Sequence, residues 1–589
     1  MSWWGQFPIR KNRPQIPREE KRMKFRKAAV VLLSALLVGM SGCGQEEGVT
    51  SVSAESSISS EQISSEMQES SEASDSAEAS DITGTVEQNG QEGWTSDDRD
   101  ALDLLGVLSE RKHLNQWDDS LGEYGMDTAY VDYNLITLSE EDAAKYPKLS
   151  EALARMNLSR VESFQENFTR LSEDAGYYRE QMGPEQCSIM FPLFDKDYFS
   201  VARADERVLS LRSDYSGYGG GAHGYYAAGG YNLDTATGKV LTWEDVFTDV
   251  NRIPGIVDGL IEDKYDTEYF FVDVEQYLRE SLQQEEMTIS WLIDYTGVTF
   301  YFNPYEIASY ADGLITAKIS FAEYPDLFNP YYTEVPAAYA VGEIQDSFSE
   351  RYWDVDGDGR DETIRAYVTA SYDEEGAPYD AITIGVNDHE QTFDIYGYVF
   401  DYYLIHNQDG RSYLYVESMM ENDYTSVHLY ELKVGEVSLS DEYGGSLSSV
   451  VDNDGANYRE WILTDPSCFT MDVRTNLLST IPAFNDVQIS PEGKFIECNK
   501  EYYYQADYKL TAKKAITGVK TDAAGRETGE SVTVNAGEKL TFYSTDLETY
   551  VTFRVGDEFV RFYVNWKEWP QTVNGEDIED LFDDMIFAG

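Results

Sequence analysis

Hydrophobic and polar positions along the chain fall into distinct textures, and each predicts a different element. An uncharged run from Ala28 to Gly42 follows the basic stretch Met23–Lys27, and it is too short to cross a bilayer comfortably. A positive segment, a short apolar stretch and small residues before Cys43 make the plan of an export signal. From Gly44 to Asp98 there is no Lys or Arg, and Ser51–Ser80 holds 13 serines. Such a segment cannot bury enough apolar surface to offset its chain entropy, so it predicts a disordered stalk extended by like charges.

Between Tyr146 and Tyr178 the apolar residues Leu149, Leu153, Met156, Leu158, Val161, Phe164 and Phe168 recur near helical spacing, predicting one or two helices. Runs rich in aromatic and β-branched residues then predict strands over Ser188–Leu193, Tyr198–Ala204, Val208–Arg212 and Tyr225–Leu233. Trp243–Thr248 and Val274–Gln284 return to helical patterning, and Val298–Phe302 and Leu314–Ser320 to strand patterning. After Val341, alternation dominates with frequent turn signals, as in Thr363–Ala370, Ala381–Val386, Tyr413–Glu417, Ser426–Leu432 and Trp461–Thr464. A last group of strands from about Tyr502 ends in a short helical stretch near Ile578–Asp583.

The fold class expected is therefore multidomain. An α+β module, an antiparallel sheet with helices, precedes an all-β region of sandwich or propeller-like form, and a small C-terminal β-barrel-like unit follows. The boundaries read from the texture are a signal peptide over 1–42 with Met23 as an alternative start, then a lipidated Cys43 and Ser/Glu stalk over 43–95. The α+β module covers 96–341, the all-β region 342–500 and the small β unit 501–589.

Charge changes the picture of partners. With 108 Asp+Glu against 45 Lys+Arg, the formal net charge is −63, which argues against nucleic acid because no basic stripe would neutralise its phosphates. Met40-Ser41-Gly42-Cys43 resembles a bacterial lipobox with Met in place of the usual Leu. That resemblance implies an acyl-anchored protein on the extracellular face of the cell membrane. The other cysteines, Cys187, Cys468 and Cys498, show no zinc-ligand spacing. Cys468 and Cys498 are either bridged or are free thiols within a core.

The stretch Leu211–Asp249 carries Gly220-Gly221-Ala222-His223-Gly224, Asn232-Leu233-Asp234, Thr237-Gly238-Lys239 and Leu241–Phe247. A second block carries Gly297–Phe300, Asn303-Pro304-Tyr305-Glu306-Ile307-Ala308 and Asp312-Gly313. Together they resemble an extracytoplasmic module found in RsiV-type anti-sigma factors and beside the catalytic domain of some peptidoglycan deacetylases. The resemblance covers roughly Tyr130–Ala340. It implies a binding or sensing domain at the cell wall, for a glycan or for a protein such as lysozyme, with His223, Tyr225 and Asn232 as ligand-contact candidates. The sigma-binding part and the deacetylase domain have no counterpart here, so neither activity is carried over.

Gly219–Gly224 fits a dinucleotide fingerprint by letter only. A strand-like Tyr225–Gly230 follows, where a pyrophosphate site needs a helix opening, so no nucleotide is expected. Asp354-Val355-Asp356-Gly357-Asp358-Gly359-Arg360-Asp361-Glu362 places carboxylates at loop positions 1, 3, 5 and 9 with glycine at 6, the pattern a hard oxygen-seeking cation requires. The metal candidates are Asp354, Asp356, Asp358, the Arg360 carbonyl and Glu362, with Ca²⁺ as the cofactor. Position 12 is Arg365 instead of a bidentate acid, so the loop resembles the DxDxDG loops of FG-GAP-type β repeats more than an EF-hand. Asn407–Gly410 and Asp452–Gly455 lack parts of that pattern and predict hairpin turns.

The chain holds no HExxH, GxSxG or Walker sequence, and its five histidines are widely spaced. No catalytic residue is nominated. The expected function is non-catalytic binding of a cell-wall or extracellular ligand, and the alternative is a hydrolase or deacetylase with a carboxylate pair that spacing cannot identify.

Overall fold

The computed structural model describes residues 102–587, apart from 123–124, 184–185, 188–189, 284–288, 344–349, 372–376, 422–423, 452–457, 505–507 and 568. Cys43, the export signal, the stalk and the Asp452–Gly455 turn lie outside the described residues. The described part is rich in β structure, with several sheets and few helices. None of its helices is long and apolar enough to cross a membrane.

The first sheet starts with a long hairpin, β1 (Val107–Asp118) and β2 (Met126–Leu138). A short helix, α1 (Glu140–Lys145), is capped by the Ser139 side chain, and α2 (Pro147–Gln181) follows as one 35-residue helix. Proline at the first turn costs α2 nothing because that N–H has no helical partner. Its buried stripe of Leu149, Leu153, Met156, Arg160, Phe164 and Leu171 packs on the sheet at the spacing read from the sequence. Because α2 carries the chain back across the sheet, β3 (Leu193–Ala204) pairs parallel to β2. Strands β4 (Val208–Tyr218) and β5 (Tyr225–Asp234) continue antiparallel.

Arg160 crosses the interface between α2 and the sheet. Its guanidinium is almost fully buried, bonded to Asp197 Oδ2 at 2.6 Å and to the Asp197 carbonyl at 2.7 Å. It also lies 3.8 Å from the Phe199 ring centroid. Burying this charge is tolerable only because each donor edge meets an acceptor or a ring face.

A second layer comprises the short helix α3 (Trp243–Val246), α4 (Ile253–Lys264) and α5 (Val274–Ser281), with a three-stranded sheet of β6 (Ser290–Ile293), β7 (Gly297–Phe302) and β8 (Ile315–Ser320). Its core gathers Trp243, Ile253, Val257, Leu278, Phe300 and Phe328. Asn232 ties this layer to the first sheet, donating to the Trp291 carbonyl at 3.0 Å and accepting from Ile293 N at 3.0 Å.

The remaining strands form sheets that cross the boundaries read from texture. Strand β9 (Tyr339–Glu343) spans the expected boundary at 341 and pairs with β14 (Val399–His406). A four-stranded sheet runs β10 (Arg351–Trp353), β11 (Glu362–Thr369), β12 (Tyr379–Val386), β13 (His389–Gly397). A five-stranded sheet orders β17 (Glu436–Gly444), β16 (Thr425–Lys433), β15 (Ser412–Met419), β14 and β9. The first sheet reaches seven strands by adding Ser449–Val451 and Tyr458–Ile462 beside β1. One hydrophobic core joins Leu149, Phe199 and Leu211 to Tyr403, Tyr415 and Met471.

Phe469–Thr475, Ile481–Ile489 and the strands after Tyr502 share a fourteen-stranded branched sheet. Its path ends at Glu527–Val534, whose outward residues are exposed, and does not return to its start. The β-rich texture is as expected, and among the described residues no sheet closes into a barrel and no propeller is present. The strand rhythm is the same in closed and open sheets; long-range edge pairing distinguishes them.

Of the expected strand Ser188–Leu193, Ser188 and Ile189 lie outside the described residues, Met190 is helical, and only Leu193 belongs to a strand. The Asn407–Gly410 turn is a hairpin turn joining β14 to β15, with Gly410 at φ 82°. Cys468 and Cys498 are free and exposed, whereas Cys187 is buried. Strand Ile481–Ile489 lies between the strands that flank the two exposed thiols. Two strand spacings put their backbones about 10 Å apart, beyond disulfide reach.

Candidate functional site

The two sequence blocks meet at one end of the first sheet. Strands β4 and β5 are joined by the Gly219–Gly224 loop, in which Gly220 has φ 79° and a Cβ would sit 2.2 Å from Met190 Cε. Glycine is favoured there chiefly by the positive φ, since the Met190 methyl is the end of a flexible side chain. The loop is braced by Tyr218 Oη donating to the Gly221 carbonyl at 3.1 Å. It presents His223 to solvent, with Nδ1 donating to the Gly224 carbonyl at 2.6 Å.

The second block folds against it. Asn303 exchanges hydrogen bonds with the Ala228 backbone, receiving from its N–H at 2.8 Å and donating to its carbonyl at 3.2 Å. The tight turn after Asn303 puts Tyr305 at φ 71°, rare for a side chain of that size, with its ring 54% exposed. Tyr310 Oη donates to the Gly224 carbonyl at 3.1 Å, which locks the two blocks together.

An aromatic platform results. The His223 and Tyr310 rings lie 4.4 Å apart, Tyr226 and Tyr310 5.5 Å, and Tyr305 and Tyr310 5.9 Å. Tyr226 is also exposed. Behind Tyr305, Glu306 accepts from Asn303 N and from Tyr277 Oη, each at 2.9 Å. Burial lifts its carboxyl to about 7.

Tyr225 stands at the margin of this platform. Its ring stacks on Tyr215 at 5.7 Å, and its hydroxyl donates to Asp195, whose fully buried carboxyl is pushed up by desolvation. Asn232, expected among the ligand contacts, is buried and bonded to Ser210, Trp291 and Ile293. It joins two sheets, with both its amide atoms engaged within the protein. Tyr226, Tyr305 and Tyr310 were not nominated from the sequence; the sole signal was that the second block follows the first in fixed order.

The acidic loop forms the β10–β11 hairpin. Oxygen atoms of Asp354, Asp356 and Glu362 lie within 4.8 Å of one another, close enough for one ion with ligands at about 2.4 Å. Asp354 gathers the loop amides, accepting from Gly357 N at 2.8 Å, Asp358 N at 3.1 Å and Gly359 N at 2.8 Å. Gly357 and Gly359 take φ 75° and 87°. Burial, together with Asp356, Asp354 and Asp358, raises Glu362 above the ordinary carboxylate range. Asp358 is outside this group; its Oδ1 accepts from Arg360 N at 2.9 Å.

The Arg360 side chain is 3.4 Å from Glu323. The loop is docked on β8 by Ser320 Oγ donating to the Gly359 carbonyl at 2.9 Å, and Lys318 pairs with Asp361 at 2.7 Å and Asp294 at 3.0 Å.

No curated protein matches the chain. Among solved structures, a DUF3298 family member from Bacteroides fragilis is 17% identical with TM-score 0.28, over 39% of this chain and 98% of that one. A DUF3298 family protein from Pseudomonas aeruginosa is 16% identical with TM-score 0.25, over 39% of this chain and 96% of that one. The family model described as protein of unknown function DUF3298 matches residues 244–322, so the segment that supplies Tyr305 and Tyr310 is a DUF3298 domain.

Proposed function

We propose that this chain is a surface lipoprotein, anchored through Cys43, whose RsiV-like module binds cell-wall glycan without turning it over. One observation carries the reading: exposed His223, Tyr226 and Tyr305 gathered around the half-buried Tyr310, assembled from two segments some 80 residues apart by hydrogen bonds to the Gly224 carbonyl and the Ala228 backbone. Exposed aromatic rings that no neighbouring element covers mark recognition surfaces. Their apolar faces with polar edges suit sugar rings, which pair an apolar C–H face with hydroxyls.

Calcium belongs to the same proposal as a structural ion. Asp354, Asp356 and Glu362 fit a hard divalent cation in donor type and spacing. There it would neutralise the hairpin that docks on β8.

The test is co-sedimentation of the full chain with purified peptidoglycan sacculi, with a parallel arm on immobilised lysozyme and an assay for released sugar. Retention on sacculi without release, lost in a Tyr305→Ala/Tyr310→Ala double variant, is the expected result. Retention on lysozyme alone makes the ligand a protein, and sustained release of sugar makes the chain an enzyme; either result overturns the glycan reading.

Asp401 and Glu417 give the enzyme alternative a specific anchor. They stand directly opposite on β14 and β15, and burial next to Asp401 raises Glu417 to about 8, so one carboxyl holds its proton while Arg111 approaches the other at 3.5 Å. Glu417→Gln would abolish any sugar release due to that pair.

A further inference from the structure

A cavity of about 370 Å³ opens at the same end of the first sheet, where β1 meets β2 and the last turns of α2. Its lining joins the 52% exposed Trp117 ring to the polar side chains of Gln116, Asp118, Asp119 and Arg179, over a small apolar wall at Ala175. Trp117 is held on one side by the turn before β2. A Cβ on Gly125, which has φ 85°, would stand 2.7 Å from the indole. The indole N–H donates to Asp119 at 2.8 Å. Arg179 Nε bonds Asp118 at 3.0 Å while its Nη2 reaches Ser120 Oγ at 3.0 Å. These fixed bonds set the ring and the planar polar groups in place before any ligand arrives. Gln116, also in the lining, has its Oε1 buried with no hydrogen-bond donor among the described residues.

The cavity and the aromatic platform share one rim. Trp117 pairs in register with Asp127, Ala129 with Leu193, Phe194 with Tyr218 and Gly217 with Tyr225. Four strand spacings separate β1 from β5, about 19 Å. Between them, Tyr178 of α2 lies beside Gly220 of the platform loop.

We propose that the Trp117 cavity is a second carbohydrate subsite, taking one sugar unit of an extended glycan chain whose other units lie on the His223–Tyr310 platform. The volume is that of a small-ligand site. A ring face combined with planar hydrogen-bonding groups matches a pyranose better than an ammonium ligand, because Arg179 already offsets Asp118 and the Trp117 N–H occupies Asp119. Two subsites on one rim select for chain length, since the second contact forms at high effective concentration once the first is made. The inference rests on the glycan reading of the platform.

The experiment is isothermal titration of the full chain with N-acetylglucosamine oligomers, from the disaccharide upward. Affinity is expected to rise with length. Trp117→Ala should weaken the longer oligomers about tenfold, the effect of one stacked ring, and the Tyr305→Ala/Tyr310→Ala variant, which removes two rings, about a hundredfold. Trp117→Phe should retain most of the binding, and its half-exposed position leaves the melting temperature unchanged.

If Trp117→Ala binds every oligomer as the wild type does while the platform variant is weakened, the subsite is overturned and the platform reading stands. If only Trp117→Ala is weakened, the cavity stands and the platform reading falls. If the wild-type chain binds no oligomer, both fall.

Discussion

The aromatic rim and the acidic hairpin are both built around glycines with positive φ, yet they differ in what surrounds those glycines. In the Asp354–Glu362 hairpin nearly every partner is local: Asp354 accepts from residues three to five positions ahead, and Val355 N donates back to Glu362 at 3.0 Å. On the rim, Gly224 is held by Tyr310 and Ala228 by Asn303, partners 86 and 75 residues away. A local cluster can assemble wherever the hairpin forms. The rim exists only when two layers have already packed. Damage to the fold should therefore abolish rim binding first, and damage to individual rings should spare the fold.

The largest effect that would test this is at Arg160. Arg160→Ala strands Asp197 inside the α2–sheet interface and is expected to cost about 3–5 kcal/mol of stability, read by urea unfolding, with glycan binding lost together with the fold. Next, the Tyr305→Ala/Tyr310→Ala variant should lose about 2–3 kcal/mol of glycan affinity, while Tyr305→Ala, which removes only an exposed ring, should lose part of that affinity with its unfolding free energy within about 0.5 kcal/mol of the wild type. A large loss of stability in that variant would mean the platform is packing, not surface.

Third, the hairpin should respond to calcium alone. At a hundredfold excess over the dissociation constant, one ion adds about 2.7 kcal/mol. A rise in melting temperature with millimolar Ca²⁺ that vanishes in Asp356→Asn/Glu362→Gln, with rim binding unchanged, keeps the two regions independent. A melting curve indifferent to chelator removes the ion.

The last effect concerns pH. Glu306 is raised from 4.5 to about 7 by burial, so the folded state binds its proton more tightly than the unfolded one. Its stabilising share is complete below about pH 4.5 and is lost as pH climbs toward 7. Glu306→Gln should therefore be stabilising by about 3 kcal/mol at pH 8 and close to neutral at pH 4. Thermal melts at the two pH values check it; an equal change at both would assign the effect to packing.

Legibility in the sequence followed the same division between local and distant. The single helix α2 was readable because its buried stripe repeats every three to four residues. The hairpin was readable because its carboxylates and glycines are consecutive. The β1–β2 hairpin was not: Ser109, Arg111, His113 and Asn115 alternate with Leu108, Glu110, Lys112 and Leu114, so neither face reads as apolar. Asn232 sat within a recognised block, and its role as a tie between sheets followed only from Trp291 and Ile293 lying beside it.

What the sequence by itself determined is the set of elements with a short-range cause: the helix, many strands and the acidic loop. Tertiary structure alone decided which edges pair, leaving the sheets open where a barrel was expected, placing Ile481–Ile489 between Cys468 and Cys498, and bringing Tyr305 and Tyr310 to His223. The physical reason is that strand period and turn chemistry act over a few residues, whereas edge pairing and aromatic clustering depend on burial that only the packed layers create.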